Sequence, residues 1–111
     1  ACQQPEGYWT RSLLDPEHAP GPETSGTAFF TYGLLWGMNN GFLDKATYQP
    51  VVEKAWKYLT TVALQPDGRI GYVQPIGEKA IPGQVVDANS TANFGVGAFL
   101  LAACEMVRFL N

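Results

Sequence analysis

From Ala28 to Met38 apolar side chains fall on every side of a helical projection. Ala28, Phe29, Phe30, Tyr32, Leu34, Leu35, Trp36 and Met38 leave no polar face. A helix of this kind is covered all round, either in a large core or in a membrane. The run is shorter than the roughly 20 residues a span needs, and Thr31 and Gly33 interrupt it, so enclosure by other helices is the expected setting. Gly21-Pro22-Glu23-Thr24-Ser25 marks its start, where Thr24 or Ser25 can cap the first-turn N–H groups. Asn39-Asn40-Gly41 supplies left-handed residues that end it. A first helix is predicted over about 24–39.

The next pattern is amphipathic. Tyr48, Val51, Val52, Ala55, Trp56, Leu59, Val62 and Ala63 follow the i, i+3, i+4, i+7 rule, with Glu53, Lys54, Lys57, Thr60 and Thr61 opposite. This second helix, half exposed, is predicted from Asp44 or Thr47 to about Ala63, with Pro50 in its first turn, where a missing N–H does little harm. A third helix is predicted from near Ser90 to the chain end, with Ser90 or Asn89 as its cap. It carries Phe94, Val96, Phe99, Leu100, Leu101, Met106, Val107, Phe109 and Leu110 and only two charges, Glu105 and Arg108. Residues 3–22 and 74–88 read as loops, broken repeatedly by proline and glycine. Short extended pieces are expected at 8–13 and 69–73, and Gln65-Pro66-Asp67-Gly68 is a turn.

These parts repeat. Gln4-Pro5-Glu6-Gly7 matches Gln65-Pro66-Asp67-Gly68 at an offset of 61, and Thr24-Ser25-Gly26-Thr27-Ala28-Phe29 matches Asn89-Ser90-Thr91-Ala92-Asn93-Phe94 at an offset of 65. Each unit is an outer amphipathic helix, an acid-glycine turn, a polar loop and an enclosed inner helix. The expected fold is all-α, an α/α toroid of which about one and a half hairpins are present, with no internal domain boundary.

Composition supports a piece of something larger. Charged residues are 15% of the 111, against roughly 25% in an ordinary soluble domain, while aromatics reach 13%. A domain this small is mostly surface and should carry more charge. Seven scattered Lys and Arg and a net charge of −3 argue against a nucleic-acid partner. Cys2 and Cys104 form neither a disulfide framework nor a metal pattern, and Cys104 reads as a buried small hydrophobe. The start, Ala1-Cys2-Gln3-Gln4-Pro5, lacks the basic and apolar stretches of a signal peptide.

Several separated motifs carry a resemblance. Trp9-Thr10-Arg11-Ser12-Leu13-Leu14-Asp15, Gly21-Pro22-Glu23-Thr24-Ser25-Gly26-Thr27-Ala28-Phe29-Phe30, Tyr32-Gly33-Leu34 and Gly37 are similar to one region of glycoside hydrolase family 105. So are Leu43-Asp44, Tyr48-Gln49-Pro50-Val51-Val52, Lys54-Ala55-Trp56 and Gly95-Val96-Gly97-Ala98-Phe99-Leu100-Leu101-Ala102. These are the unsaturated rhamnogalacturonyl hydrolases, related to the unsaturated glucuronyl hydrolases of family 88. The resemblance spans essentially the whole chain but only the C-terminal third of a family member.

It implies a six-hairpin toroid with a central pocket where inner-helix starts converge. It implies removal of an unsaturated uronic acid from the non-reducing end of an oligosaccharide made by a polysaccharide lyase. The implied chemistry is hydration of the C4=C5 double bond by an aspartate and water, with no metal or organic cofactor. The family's catalytic aspartates lie upstream, so no acid in this chain inherits that role. The implied partners are the unsaturated oligosaccharide and the remaining hairpins of the parent chain, or further copies of the piece itself. No membrane is expected. The alternative is a non-catalytic carbohydrate-binding or interaction module of α-hairpins. A metal-dependent toroid cyclase is disfavoured by the lone histidine.

Candidate substrate-binding residues follow from the loops before the inner helices. Glu23 is favoured beside a helix N-terminus with or without a ligand, so capping and pocket lining both stand. Ser25 and Ser90 read as caps or as sugar contacts. Asn89 and Asn93 flank a helix start whose N–H groups can receive a carboxylate. His18, the only histidine, is either an exposed loop residue or a partner for a sugar hydroxyl or carboxylate. Trp9 and Tyr72 can stack on sugars or pack their loops. Asp15 and Glu17 identify no acid/base pair, because carboxylate separation is a spatial quantity. The loops at 23–25 and 89–93 are expected to face one shared pocket.

Overall fold

A computed structural model describes all 111 residues. It contains α1 (Thr24–Asn39), α2 (Lys45–Tyr58) continuing into a π-helical turn (Leu59–Ala63), and α3 (Asn93–Leu110). Extended structure is limited to two isolated antiparallel bridges, Trp9 with Glu23 and Leu64 with Ile70.

The two inner helices run parallel. Ala28 of α1 and Ala98 of α3 share one core cluster near the helix starts, and Leu35 and Met38 meet Met106 near their ends. Asn39 Nδ2 closes that end by donating to the Glu105 carbonyl and carboxylate at 3.0 and 2.8 Å. Helix α2 runs back antiparallel, with Tyr58 at the start of α1 and Val52 beside Leu35 and Met38. Small residues permit the close α1–α3 approach. The buried face of α1 is Thr24, Ser25, Thr27, Ala28, Thr31, Leu35, Gly37 and Met38, and that of α3 is Gly95, Ala98, Ala102, Glu105 and Met106. The buried hydroxyls bond internally. Thr31 Oγ1 donates to the Thr27 carbonyl at 2.7 Å, and Thr27 Oγ1 donates to the Glu23 carbonyl at 2.8 Å.

Within these 111 residues the enclosure of the inner helices is incomplete. Phe29, Phe30 and Trp36 are 40–48% exposed, and Leu100, Leu101, Val107 and Leu110 of α3 are exposed as well. The chain supplies α1 with a neighbour on one flank and α2 behind, and no helix for the other flank. Cys104, expected to be buried, is exposed on α3 for the same reason, and both cysteines are free. Helix α3 is also long and apolar enough to cross a membrane by length and composition.

Helix α1 spans the predicted residues, and the helix starts depart from expectation in three details. The N-cap of α1 is Glu23, and Thr24 and Ser25 lie inside the first turn. Helix α3 begins at Asn93 after an uncapped Ala92, not at Ser90. Pro50 falls in the second turn of α2, because Asp44 caps it early, accepting from Thr47 N at 2.9 Å and Thr47 Oγ1 at 2.7 Å. The Thr47 hydroxyl and N–H hold the Asp44 carboxyl below the usual carboxylate range.

The end of α2, predicted from the sequence as plain α-helix, widens into the π-turn, with Leu64 N donating to the Leu59 carbonyl at 3.0 Å. Two hydroxyls along this turn bond back to carbonyls one turn earlier, as threonines do within helices. Thr60 Oγ1 donates to Trp56 O at 2.8 Å and Thr61 Oγ1 to Lys57 O at 2.6 Å.

The repeat is visible as backbone geometry. Gly7 N donates to Gln4 O and Gly68 N to Gln65 O, each at 2.9 Å. Gln4 N to Tyr8 O and Gln65 N to Arg69 O are each 2.8 Å. Both glycines have positive φ, 101° and 90°. A Cβ on Gly7 would also collide with the Lys54 carbonyl of α2. Two turns 61 residues apart in sequence are therefore one device used twice.

Candidate functional site

The loops before α1 and α3 lie at the same end of the helix pair. Segment 71–74 joins them. Thr24 N donates to Tyr72 O at 2.7 Å, Tyr72 N to Asp87 O at 2.8 Å, and Val73 N to Ser90 O at 2.9 Å. Tyr72 takes φ 62°, a left-handed conformation uncommon for a residue with a side chain. Its N–H and carbonyl hold opposite loops, so the backbone cannot relax without releasing one. Gly95 allows the segment close to α3, since a Cβ there would strike the Val73 side chain at 2.5 Å.

Glu23 is the polar centre of this end. It is 2% exposed, and four donors reach its carboxylate. Ser25 Oγ and Gly26 N donate to Oε1, each at 2.7 Å, while Ser25 N and Gln74 N donate to Oε2 at 3.2 and 2.9 Å. A buried carboxylate is tolerable only when so satisfied. Of the two readings of Glu23, capping describes its contacts. Behind it, Tyr58 donates to Thr24 Oγ1 at 2.7 Å, and Thr24 Oγ1 donates to Gly71 O at 2.6 Å. Burial pushes the Tyr58 phenol well above its ordinary range, partly opposed by the Thr24 hydrogen bond.

Two adjoining clefts open over this end. One, of about 340 Å³, is lined by Arg11, Ser25, Gln74, Gln84 and Phe94, beneath the loop from Pro75 to Ile81. The other, of about 510 Å³, holds Asn89 and Ser90. Gln74, Pro75, Ile76 and Phe94 wall both clefts. Ser25 and the Asn89–Ser90 pair thus lie on neighbouring depressions. His18 is exposed and lines neither, with Nε2 3.3 Å from the Ala80 carbonyl. Trp9 packs edge-on against Phe30, its ring centroid 5.1 Å away, which is the packing reading of that residue.

The largest cleft, about 560 Å³, lies elsewhere. Trp9, Phe29, Phe30, Leu34, Tyr48 and Val51 line it along the open flank of α1. Its walls carry few polar groups, so it reads as uncovered packing surface rather than a sugar site.

The Asn89–Ser90 segment is occupied by local bonds rather than by helix capping. Asp87 N donates to Ser90 Oγ at 3.0 Å and Asn89 N to Asp87 Oδ1 at 2.9 Å. Arg11, Gln74 and Phe94 were missed as site residues. Gln74 enters through its backbone N–H, for which its residue type carries no signal. Arg11 reaches the site across more than seventy residues of sequence.

The family described as Glycosyl Hydrolase Family 88 matches residues 1–110. The chain belongs to that family. Its curated relatives include an unsaturated 3S-rhamnoglycuronyl hydrolase of Formosa agariphila, 46% identical over 96% of this chain and 27% of that protein. A solved family 88 glycosyl hydrolase from Bacteroides vulgatus is 79% identical with a TM-score of 0.92, over 97% of this chain and 31% of that one. A second solved chain, named as a polysaccharide lyase, is 89% identical with a TM-score of 0.91, over 98% and 31%. The chain thus spans about a quarter to a third of these relatives and is a segment of the family's α/α toroid. The family resemblance read from the separated motifs, and the toroid it implied, are both right.

Proposed function

We propose that this segment serves an unsaturated uronyl hydrolase, supplying part of the pocket that receives the unsaturated sugar. A proton is delivered to C4 of the C4=C5 alkene and water oxygen bonds to C5. The resulting hemiketal collapses and releases the rest of the oligosaccharide. The proton-transferring aspartate belongs to another part of such a protein, and the contribution here is binding. Asn89 and Ser90 face the substrate directly. Ser25 sits at the floor of the adjoining cleft, Glu23 holds that floor in place, and His18 stands at its outer margin. The observation that carries this reading is the family match across residues 1–110. The Formosa relative's name points to uronides joined to sulfated rhamnose as the substrates to try first.

The full-length protein incubated with Δ4,5-unsaturated disaccharides should erase their alkene absorbance. Persistence of that absorbance with rhamnogalacturonan, glucuronan and sulfated rhamnoglucuronan products would sink the reading. A second reading, elimination rather than hydration, rests on the name of the 89%-identical chain. The two run in opposite directions, because a lyase acting on intact polysaccharide makes the absorbance rise. The exposed flanks of α1 and α3 are covered in this proposal by other helices of the same toroid. Made alone, the 111 residues should self-associate on sedimentation, whereas a monodisperse monomer that binds no hydrophobic dye would contradict this.

A further inference from the structure

The loop from Pro75 to Val86 walls the Ser25 cleft, yet almost nothing of its own holds it. None of its residues is buried, and its sole internal backbone hydrogen bond is Gln84 N to Ile81 O at 3.2 Å. Bonds to the rest of the protein come from two side chains. His18 offers Nε2 to Ala80 O from an exposed position. Arg11 makes three: Nη1 donates to Ile81 O and Gln84 Oε1 at 3.4 and 3.2 Å, and Nη2 to Gln84 O at 3.4 Å.

Arg11 itself stands on a firm base. Trp9 N donates to Thr27 Oγ1 at 2.9 Å, Glu23 N to Trp9 O at 3.2 Å, and Thr10 Oγ1 to Ser12 O at 2.8 Å. Its guanidinium has no carboxylate partner, so its planar fork is directed at loop carbonyls and an amide oxygen. The same side chain lines the cleft.

We propose that Arg11 is a positioning residue, holding the 75–84 loop as a fixed wall of the oligosaccharide cleft at the start of α1. The proposal rests on the functional reading above and adds the residue that sets the cleft's shape. A loop without buried side chains or ladder bonds opens at low free-energy cost, so its anchor governs how often the wall is in place. Ordering the wall in advance favours substrate binding over later steps.

The test uses the full-length protein with Arg11→Ala, Arg11→Lys and Gln84→Ala. Amide exchange across 76–83, measured without substrate, should speed by about tenfold in Arg11→Ala, as loss of one net hydrogen bond implies. KM should rise by a similar factor with kcat nearly unchanged, the pattern of lost binding common to ground and transition states. Arg11→Lys should recover little, because an ammonium cannot fork to two carbonyls. Gln84→Ala should give a smaller rise in KM that Arg11→Ala masks in the double variant. Unchanged exchange in Arg11→Ala overturns the anchor, and faster exchange with unchanged KM overturns its link to the substrate. A wild-type protein without turnover fails the functional reading and removes the substrate half of this one, while the exchange result still decides the anchor.

Discussion

The starts of α1 and α3 each follow the polar loop of their unit from an extended residue, but at the offset of 65 α3 begins about four residues later, and their chemistry differs. Glu23 and Ala92 are both extended N-cap residues, at φ −129° and −158°. Glu23 gathers four donors into a buried carboxylate, whereas Ala92 offers no side-chain oxygen at all. The hydroxyl that aligns with Ser25, Ser90, falls three residues before α3 and is engaged in the Asp87 turn. One inner helix is welded to its surroundings through its cap. The other begins with its first-turn N–H groups free of any side-chain partner. The repeat thus keeps the geometry of its glycine turns but not the side-chain roles at its helix starts, and the open end is where a ligand meets least competition.

Removing the weld should show the largest effect. Glu23→Ala leaves Gln74 N, Gly26 N and Ser25 N without a partner and should cost about 3 kcal/mol, against well under 1 kcal/mol for Ser90→Ala. Urea unfolding of the full-length protein compares them, and equal losses would erase the distinction between the two ends. High pH attacks the same end from behind. The Tyr58 phenol is held neutral above its ordinary value of 10.0, so the unfolded chain loses that proton first. Its stabilising contribution is complete below pH 10 and should fall as pH rises beyond it. Tyr58→Phe should blunt that alkaline loss, and an unchanged slope would mean Tyr58 is not the group responsible.

The open end can be closed instead. Ala92→Ser supplies the missing cap oxygen and should raise stability by about 1 kcal/mol. Thermal melting measures the gain, and no gain would mean the α3 start is already satisfied. The smallest effects concern binding. Asn89→Ala and Ser90→Ala should raise KM severalfold, about 1 kcal/mol of lost hydrogen bonding, while Thr61→Ala on the outer face leaves it unchanged. Equal values for all three would leave the Asn89–Ser90 segment a turn and nothing more.

Much of the fold was legible because it depends on short-range rules. The Gln-Pro-acid-Gly turns need a glycine at positive φ, and the spacing of Tyr48, Val52, Ala55 and Leu59 declares a one-sided helix. The π-turn was not legible, since it appears only in which carbonyl a backbone N–H reaches, Leu64 N donating to Leu59 O five residues back. Arg11 and Gln74 were invisible as site residues, because their partners lie 51 to 73 positions away. Glu23 was legible as an acid at a helix start, but not as the residue joining that start to the 71–74 segment.

Local sequence determined three helices, two equivalent turns and a surplus of apolar surface for so short a chain, and separated motifs identified its family. Those properties follow from side-chain period, backbone steric preference and composition, all of which act over a few residues or none. Tertiary structure decided which faces those helices bury. Close approach of α1 to α3 selected threonine, alanine and glycine for the interior and turned Phe29, Phe30 and Trp36 outward. It also decided that Glu23, not Thr24 or Ser25, caps α1, because only packing brings the Gln74 N–H within 2.9 Å of a carboxylate that would otherwise prefer water.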